Sequence, residues 1–236
     1  MLPTYLFPFI SYFVLGPFEI ISAQTIVRQN RPVSSFEGIY NAGPFEVIVN
    51  FGVKEAVVVE ADAAVIAYIE TVVEPSLVLA IRFSDTFPGS INSQGPLRVT
   101  VTARSLKTLT VVGSGPIVVQ GTLKANDFQL EIDGSGDVTA ALQVNNANLV
   151  LTGSGNFFAS GKAKNVNINV SGSGNVNGQA LLAQQGNIAI YASGNVALYC
   201  EHDLTVWITG SGSLQYGGNP TVTQQIMGSG FVTRAF

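Results

Sequence analysis

From residue 113 onward, apolar and polar positions alternate in short runs that return at a nearly constant offset. Leu130 and Ile132, Leu149 and Leu151, Ile168 and Val170, Ile188 and Ile190, and Val206 and Ile208 each flank one other residue, and Val138, Phe157, Val176, Val196 and Leu214 follow them at a fixed distance. Alternation with a period of two marks strands with one face turned inward. The runs are punctuated by Gly113-Ser-Gly115, Gly134-Ser-Gly136, Gly153-Ser-Gly155, Gly172-Ser-Gly174, the variant Ala192-Ser-Gly194, Gly210-Ser-Gly212 and Gly228-Ser-Gly230. Successive marks begin 21, 19, 19, 20, 18 and 18 residues apart. A period near 19 repeated this often predicts stacked solenoid turns: an all-β, single-stranded parallel β-helix, right-handed because parallel crossovers take that hand by default.

Each predicted turn is a strand, a sharp corner at the Gly-Ser-Gly mark, and a second strand, with glycine supplying backbone angles denied to other residues. Stacking in register places like on like. Inward columns of Leu, Ile and Val then form the core, and Ser114, Ser135, Ser154, Ser173, Ser193, Ser211 and Ser229 form a column of hydroxyls. One outward column runs Thr110, Glu131, Val150, Asn169, Ala189, Trp207, Gln225; its neighbour runs Val112, Asp133, Thr152, Ser171, Tyr191, Thr209, Met227. Tyr191 and Trp207 therefore fall on adjacent turns of one face, spaced to take a sugar ring or a partner chain, and they are the candidate ligand-binding residues.

Residues 24–112 form a different β region, with fewer glycines and more charge. Residues 45–51, 56–60, 77–83, 97–102 and 106–112 are β-branched runs bounded by turn formers, and the Ala-rich stretch 62–69 is expected to make a short helix or turn between two of them. The predicted organisation is residues 1–23 as a leader, 24–112 as an N-terminal β region and 113–236 as the repeat solenoid. Residues 2–21 are apolar except for Glu19 and end in Ile21-Ser22-Ala23, the pattern of a secretory signal cleaved after Ala23. Pro3, Pro8 and Pro17 argue against a membrane-spanning helix there, so the mature chain is expected not to span a membrane.

Composition narrows the chemistry. The chain is 47% apolar and 11% charged with a net charge of −4, so Asn, Ser, Thr, Gln and Gly must keep its surface polar, and no basic run provides a footprint for nucleic acid. One cysteine and one histidine permit neither an internal disulfide nor a multi-histidine metal centre. Cys200, Glu201, His202 and Asp203 put a thiol, an imidazole and two carboxylates side by side, but consecutive strand residues face opposite ways, and the expected reading is a solvated corner. The glycine marks lack the lysine and the following helix of a phosphate loop. Asp133 and Asp137 flank one mark, yet Thr152 and Asn156, then Ser171 and Asn175, replace them, so no calcium array is expected. No cofactor is expected either. Asn169-Val170-Ser171 is a glycosylation sequon on the outward column.

Three groups of residues together resemble the putative auto-transporter adhesin, head GIN domain family over residues 25–236. They are Phe36-Glu-Gly-Ile39 followed by residues 45–49; the serial marks followed by Asp137, Asn156, Asn175 and Asn195; and the close from Gly210 to Tyr216 with Pro220 and residues 228–230. The resemblance implies a β-helical fold, a secreted or cell-envelope location and an adhesive role, and carries no catalytic residue. On this reading the chain is a non-catalytic adhesion or binding module whose partner is a glycan or a cell-surface protein. The alternative is a polysaccharide lyase or hydrolase built on a β-helix. It would need clustered acids and bases, and Glu131 with Asp133 is the only outward carboxylate pair on one strand of the repeats, with no outward Lys or Arg on the neighbouring turns.

Overall fold

The computed structural model describes residues 25–89 and 95–236, so the leader expected over residues 1–23 lies outside the described residues. The chain forms a β-solenoid of about seven coils of about 19 residues each. Eight short strands come first: β1 (Ile26–Arg31), β2 (Gly38–Asn41), β3 (Glu46–Phe51), β4 (Ala56–Asp62), β5 (Ile69–Val73), β6 (Val78–Phe83), β7 (Arg98–Ala103) and β8 (Thr108–Val111). The repeats follow as β9 (Ile117–Ile132), β10 (Val138–Leu151), β11 (Phe157–Val170), β12 (Val176–Ile190) and β13 (Val196–Gly210). The last layer consists of β14 (Leu214–Gly218), β15 (Thr221–Gly228) and β16 (Val232–Arg234).

The two strands expected per coil are joined into one. Each of β9 to β13 runs from one glycine mark to the next and bends where successive residues leave the core, as at Asn145-Asn146, Gln184-Gln185 and Glu201-His202-Asp203. Neighbouring coils bend at the same place, so the parallel ladder continues through the bend: Gln143 to Ala147 pairs with Lys162 to Val166 on both sides of it. This is the second corner of the coil, and no glycine announces it.

The inward columns stack as the alternation requires. Leu130, Leu149, Ile168, Ile188 and Val206 lie in register on successive coils, as do Val138, Phe157, Val176, Val196 and Leu214. All ten are 2% exposed or less. Burying a Leu or Ile side chain removes it from water at a gain of about 1.5–3 kcal/mol, so these columns are the main source of stability.

The corners correct the expectation about glycine. Of the marks, only Gly210 and Gly228 have positive φ, 132° and 128°. The others are needed because the coils approach one another backbone to backbone. A Cβ on Gly153 would overlap the carbonyl oxygen of Gly134, and one on Gly172 the carbonyl oxygen of Gly153. The hydroxyl column is real but loosely bonded, Ser193 Oγ and Ser211 Oγ standing 3.2 Å apart. The tighter ladder is built by the residue after each mark. Asp137 Oδ1 accepts from the backbone N–H and Nδ2 of Asn156 at 2.8 and 2.9 Å, and Asn156 Oδ1 accepts likewise from Asn175. Asn175 Oδ1 accepts from Asn195, and Asn195 Oδ1 ends the series by accepting from the N–H and hydroxyl of Ser213. The series can start on a carboxylate because its first member need only accept: Pro116, one coil down, has no side-chain oxygen to which an amide at position 137 could donate.

The N-terminal region supplies the first layers of the same stack. On one ribbon β6, β2, β8 and β9 are parallel neighbours with β5 added antiparallel to β6; on another β7, β3 and β9 are parallel, with β4 added antiparallel to β7 and β1 antiparallel to β4. Composition changes at Gly113, whereas pairing continues across it: Gly115 N–H donates to Gly43 O at 3.0 Å, and buried Asn41 donates from Nδ2 to the carbonyls of Phe45 and Gly115. The stretch 62–69 forms a turn with a single 3-10 turn at Ile66–Tyr68, held by buried Val65, Ile66 and Ile69, and is too short for a full helix.

Candidate ligand-binding face

The outward columns read from the sequence are those of the structure. Thr110, Glu131, Val150, Asn169, Ala189, Trp207 and Gln225 pair in that order from coil to coil. Val206 and Ile208 are buried on either side of Trp207, so alternation forces the indole outward. Small Ala189 lies beneath it. Tyr191 extends from the corner that follows Ile190, and Met227 stands above Thr209 in the last layer. Tyr191, Trp207 and Met227 are 56%, 46% and 58% exposed, and together with Ile208, Thr209 and Gln225 they line one shallow depression of about 440 Å³.

The chemistry of this depression suits a ligand that is part apolar and part hydroxylated. The rings and the thioether offer flat apolar contact, while the Gln225 amide and the Thr209 hydroxyl offer donors and acceptors beside it. Among the described residues no ring pair includes Tyr191 or Trp207, and about half of each side chain is open to solvent. Rigidity comes from below, because every lining residue sits on or beside a strand whose neighbours are ladder-bonded.

The other candidate residues do not converge. Cys200 is buried, its Sγ donates to the carbonyl oxygen of Asp203 at 3.2 Å, and burial pushes the thiol above the ordinary cysteine range. Glu201, His202 and Asp203 face solvent on the second corner, where Asp203 accepts from Gln185 Nε2 at 3.2 Å. Asp133 accepts a hydrogen bond from the hydroxyl of Thr152, and Asp137 starts the amide ladder, so each carboxylate serves the next coil. Glu131 stands outward between Thr110 and Val150. Among the described residues no group of three or more His, Cys, Asp or Glu side chains is placed to hold a metal ion, and no helix is long and apolar enough to cross a membrane.

A stack of glycine-cornered coils paired parallel and in register defines the parallel β-solenoid class. Within that class the chain belongs to the family described as putative auto-transporter adhesin, head GIN domain, which it matches over residues 35–220. Its fold is similar to that of a putative adhesin from Bacteroides fragilis, at a TM-score of 0.85 and 19% identity over 90% of this chain and 98% of that one. It is similar also to a putative adhesin from Parabacteroides merdae, TM-score 0.73 and 15% identity over 91% and 98%. A third neighbour is a putative lipid binding protein from Parabacteroides distasonis, TM-score 0.71 and 23% identity over 89% and 97%. No curated protein matches the chain.

Proposed function

We propose that the protein is a non-catalytic binding module, secreted or held in the cell envelope, which grips a glycan through the face formed by Tyr191 and Trp207. The observation that carries this reading is the pair of half-exposed rings on adjacent coils, with amide and hydroxyl groups beside them in one depression. Sugar rings present one apolar face and a periphery of hydroxyls, and an aromatic platform with polar neighbours is complementary to both. Family membership and the adhesin-like neighbours support a binding role and an extracellular or envelope setting. A leader cleaved after Ala23 supports export, and the mature chain then starts at Gln24. A glycan array probed with the mature chain, Tyr191→Ala, Trp207→Ala and Thr110→Ala tests the proposal. The wild type and Thr110→Ala should share a set of positive glycans that both aromatic variants lose. Identical arrays for all four proteins, or no glycan bound by any, would refute it, and loss of binding to a surface protein in the aromatic variants alone would reassign the face to a protein partner.

A further inference from the structure

Between Gly113 and Thr233 the chain contains three Lys or Arg residues, Lys124, Lys162 and Lys164, and the stacking gathers all three on one ribbon. Lys124, Gln143 and Lys162 pair directly on β9, β10 and β11. The two lysines therefore stand two strand spacings apart, about 9.6 Å. Lys164 follows on the same outward face of β11, separated from Lys162 by buried Ala163. All three are exposed, and among the described residues none enters an ion pair. Arg28, Arg82, Arg98, Arg104 and Lys107, in contrast, each hold a carboxylate.

The ground between the lysines consists of amides. Lys162 and Lys164 share a depression of about 360 Å³ with Gln143, Asn145 and Gln184, and Lys124 lines a neighbouring one of about 560 Å³ with Gln120 and Thr122. The carboxylates nearby are peripheral or engaged. Glu201 stands at the far rim on β13, two coils beyond Lys164, and Asp127, on the second corner, accepts from Asn126 and Asn146. Amides, hydroxyls and a few carboxylates keep the other ribbons of the repeats polar without a lysine or arginine, so solubility does not require cations in these two adjacent columns. Uncompensated ammonium groups fixed on a rigid sheet repel one another and attract a partner with anions at matching intervals.

We propose that this ribbon is a second binding site, separate from the aromatic face, and that it takes a linear acidic polysaccharide lying along the solenoid axis. The ligand's anionic groups sit against Lys124 at one end and Lys162 with Lys164 at the other, an interval of about one disaccharide, and its hydroxyls bond to Gln143 and Asn145 between them. A bilayer is a poorer fit, because the exposed large apolar side chains of this ribbon, Phe158 at 42% and Leu182 at 37%, stand on separate coils, Phe158 between Thr139 and Asn177 and Leu182 beside Lys162.

The test is calorimetric titration of the full chain with polygalacturonate oligomers, with their methyl esters, and with phosphatidylglycerol vesicles. Polygalacturonate should bind with an affinity that falls as salt is raised, and the neutral ester and the vesicles should not bind. Replacing Lys124, Lys162 and Lys164 together by Gln should weaken binding about tenfold or more and flatten the salt dependence, and replacing them by Arg should restore both. Unchanged thermal unfolding of the Gln variant would show that the loss is local. Equal binding by the Gln variant, equal binding of the ester, binding to vesicles in place of the polymer, or no polymer binding by the wild type would each overturn the proposal.

Discussion

Truncating Ile168 to Ala is the sharpest probe of the stack. Ile168 is 2% exposed, with Leu149 directly below and Ile188 directly above. The substitution removes three carbons, worth about 2.4 kcal/mol at ~0.8 kcal/mol each. The space left cannot close easily, because Leu149 and Ile188 are held at the strand spacing by ladders on both sides, so a cavity penalty brings the expected loss to about 3–4 kcal/mol. Asn169, the next residue, points outward between Val150 and Ala189, and Asn169→Ala should cost less than about 1 kcal/mol. Equilibrium denaturation in urea measures both: the Ile168→Ala midpoint should fall markedly at an unchanged slope, and the Asn169→Ala midpoint should barely move. Because a one-residue slip exchanges inside for outside, equal destabilisation by the two variants would refute the register and the fold with it.

Gly153→Ala should be more damaging than its one added methyl suggests, costing at least about 1–3 kcal/mol in the same assay, because the new Cβ meets the backbone of Gly134 and Asp133, which cannot swing aside. Asn175→Ala removes the acceptor for both the N–H and Nδ2 of Asn195 and should lower stability by about 1–3 kcal/mol, whereas an unchanged midpoint would mean the amide ladder contributes nothing net. Cys200, buried and with its thiol pKa raised, should react with alkylating reagents orders of magnitude more slowly in the native protein than in urea, as followed by mass spectrometry.

The repeat half was legible because its coils are short and alike: once the glycine marks are aligned, Leu149, Ile168 and Ile188 fall in one column and Glu131, Val150 and Asn169 in another, as the structure has them. The role of the glycines was not legible, since the same residue serves a positive φ at Gly210 and a close backbone approach at Gly153, and only the stack tells these apart. The bend at Asn145-Asn146 escaped because polar residues there differ from coil to coil, Lys164-Asn165 and Gln184-Gln185 taking the same places. Nothing periodic foretold that β2 lies beside β8, or that β4 runs antiparallel to both β7 and β1; those layers are joined by long-range pairing alone. For the candidate face, the offset of 18 residues from Trp207 to Gln225 and from Thr209 to Met227 already placed the lining residues, while the depression they form shows only once the coils are stacked. The lysine ribbon was hidden by sequence distance, although Lys124 and Lys162 are separated by two coils' worth of residues.

Trp207 is the only tryptophan in the chain, so its fluorescence reports on the proposed site without any label. Titrating the protein with a glycan positive on the array should shift or quench the Trp207 emission along a saturable curve, with the same midpoint as calorimetry gives. Tyr191→Ala, which keeps the reporter, should move that midpoint to at least about tenfold higher ligand, the loss expected when one stacked aromatic contact worth about 1.5 kcal/mol is removed. Calorimetric binding with no change in Trp207 emission, or a midpoint that Tyr191→Ala leaves in place, would show that the ligand sits elsewhere and would contradict the account.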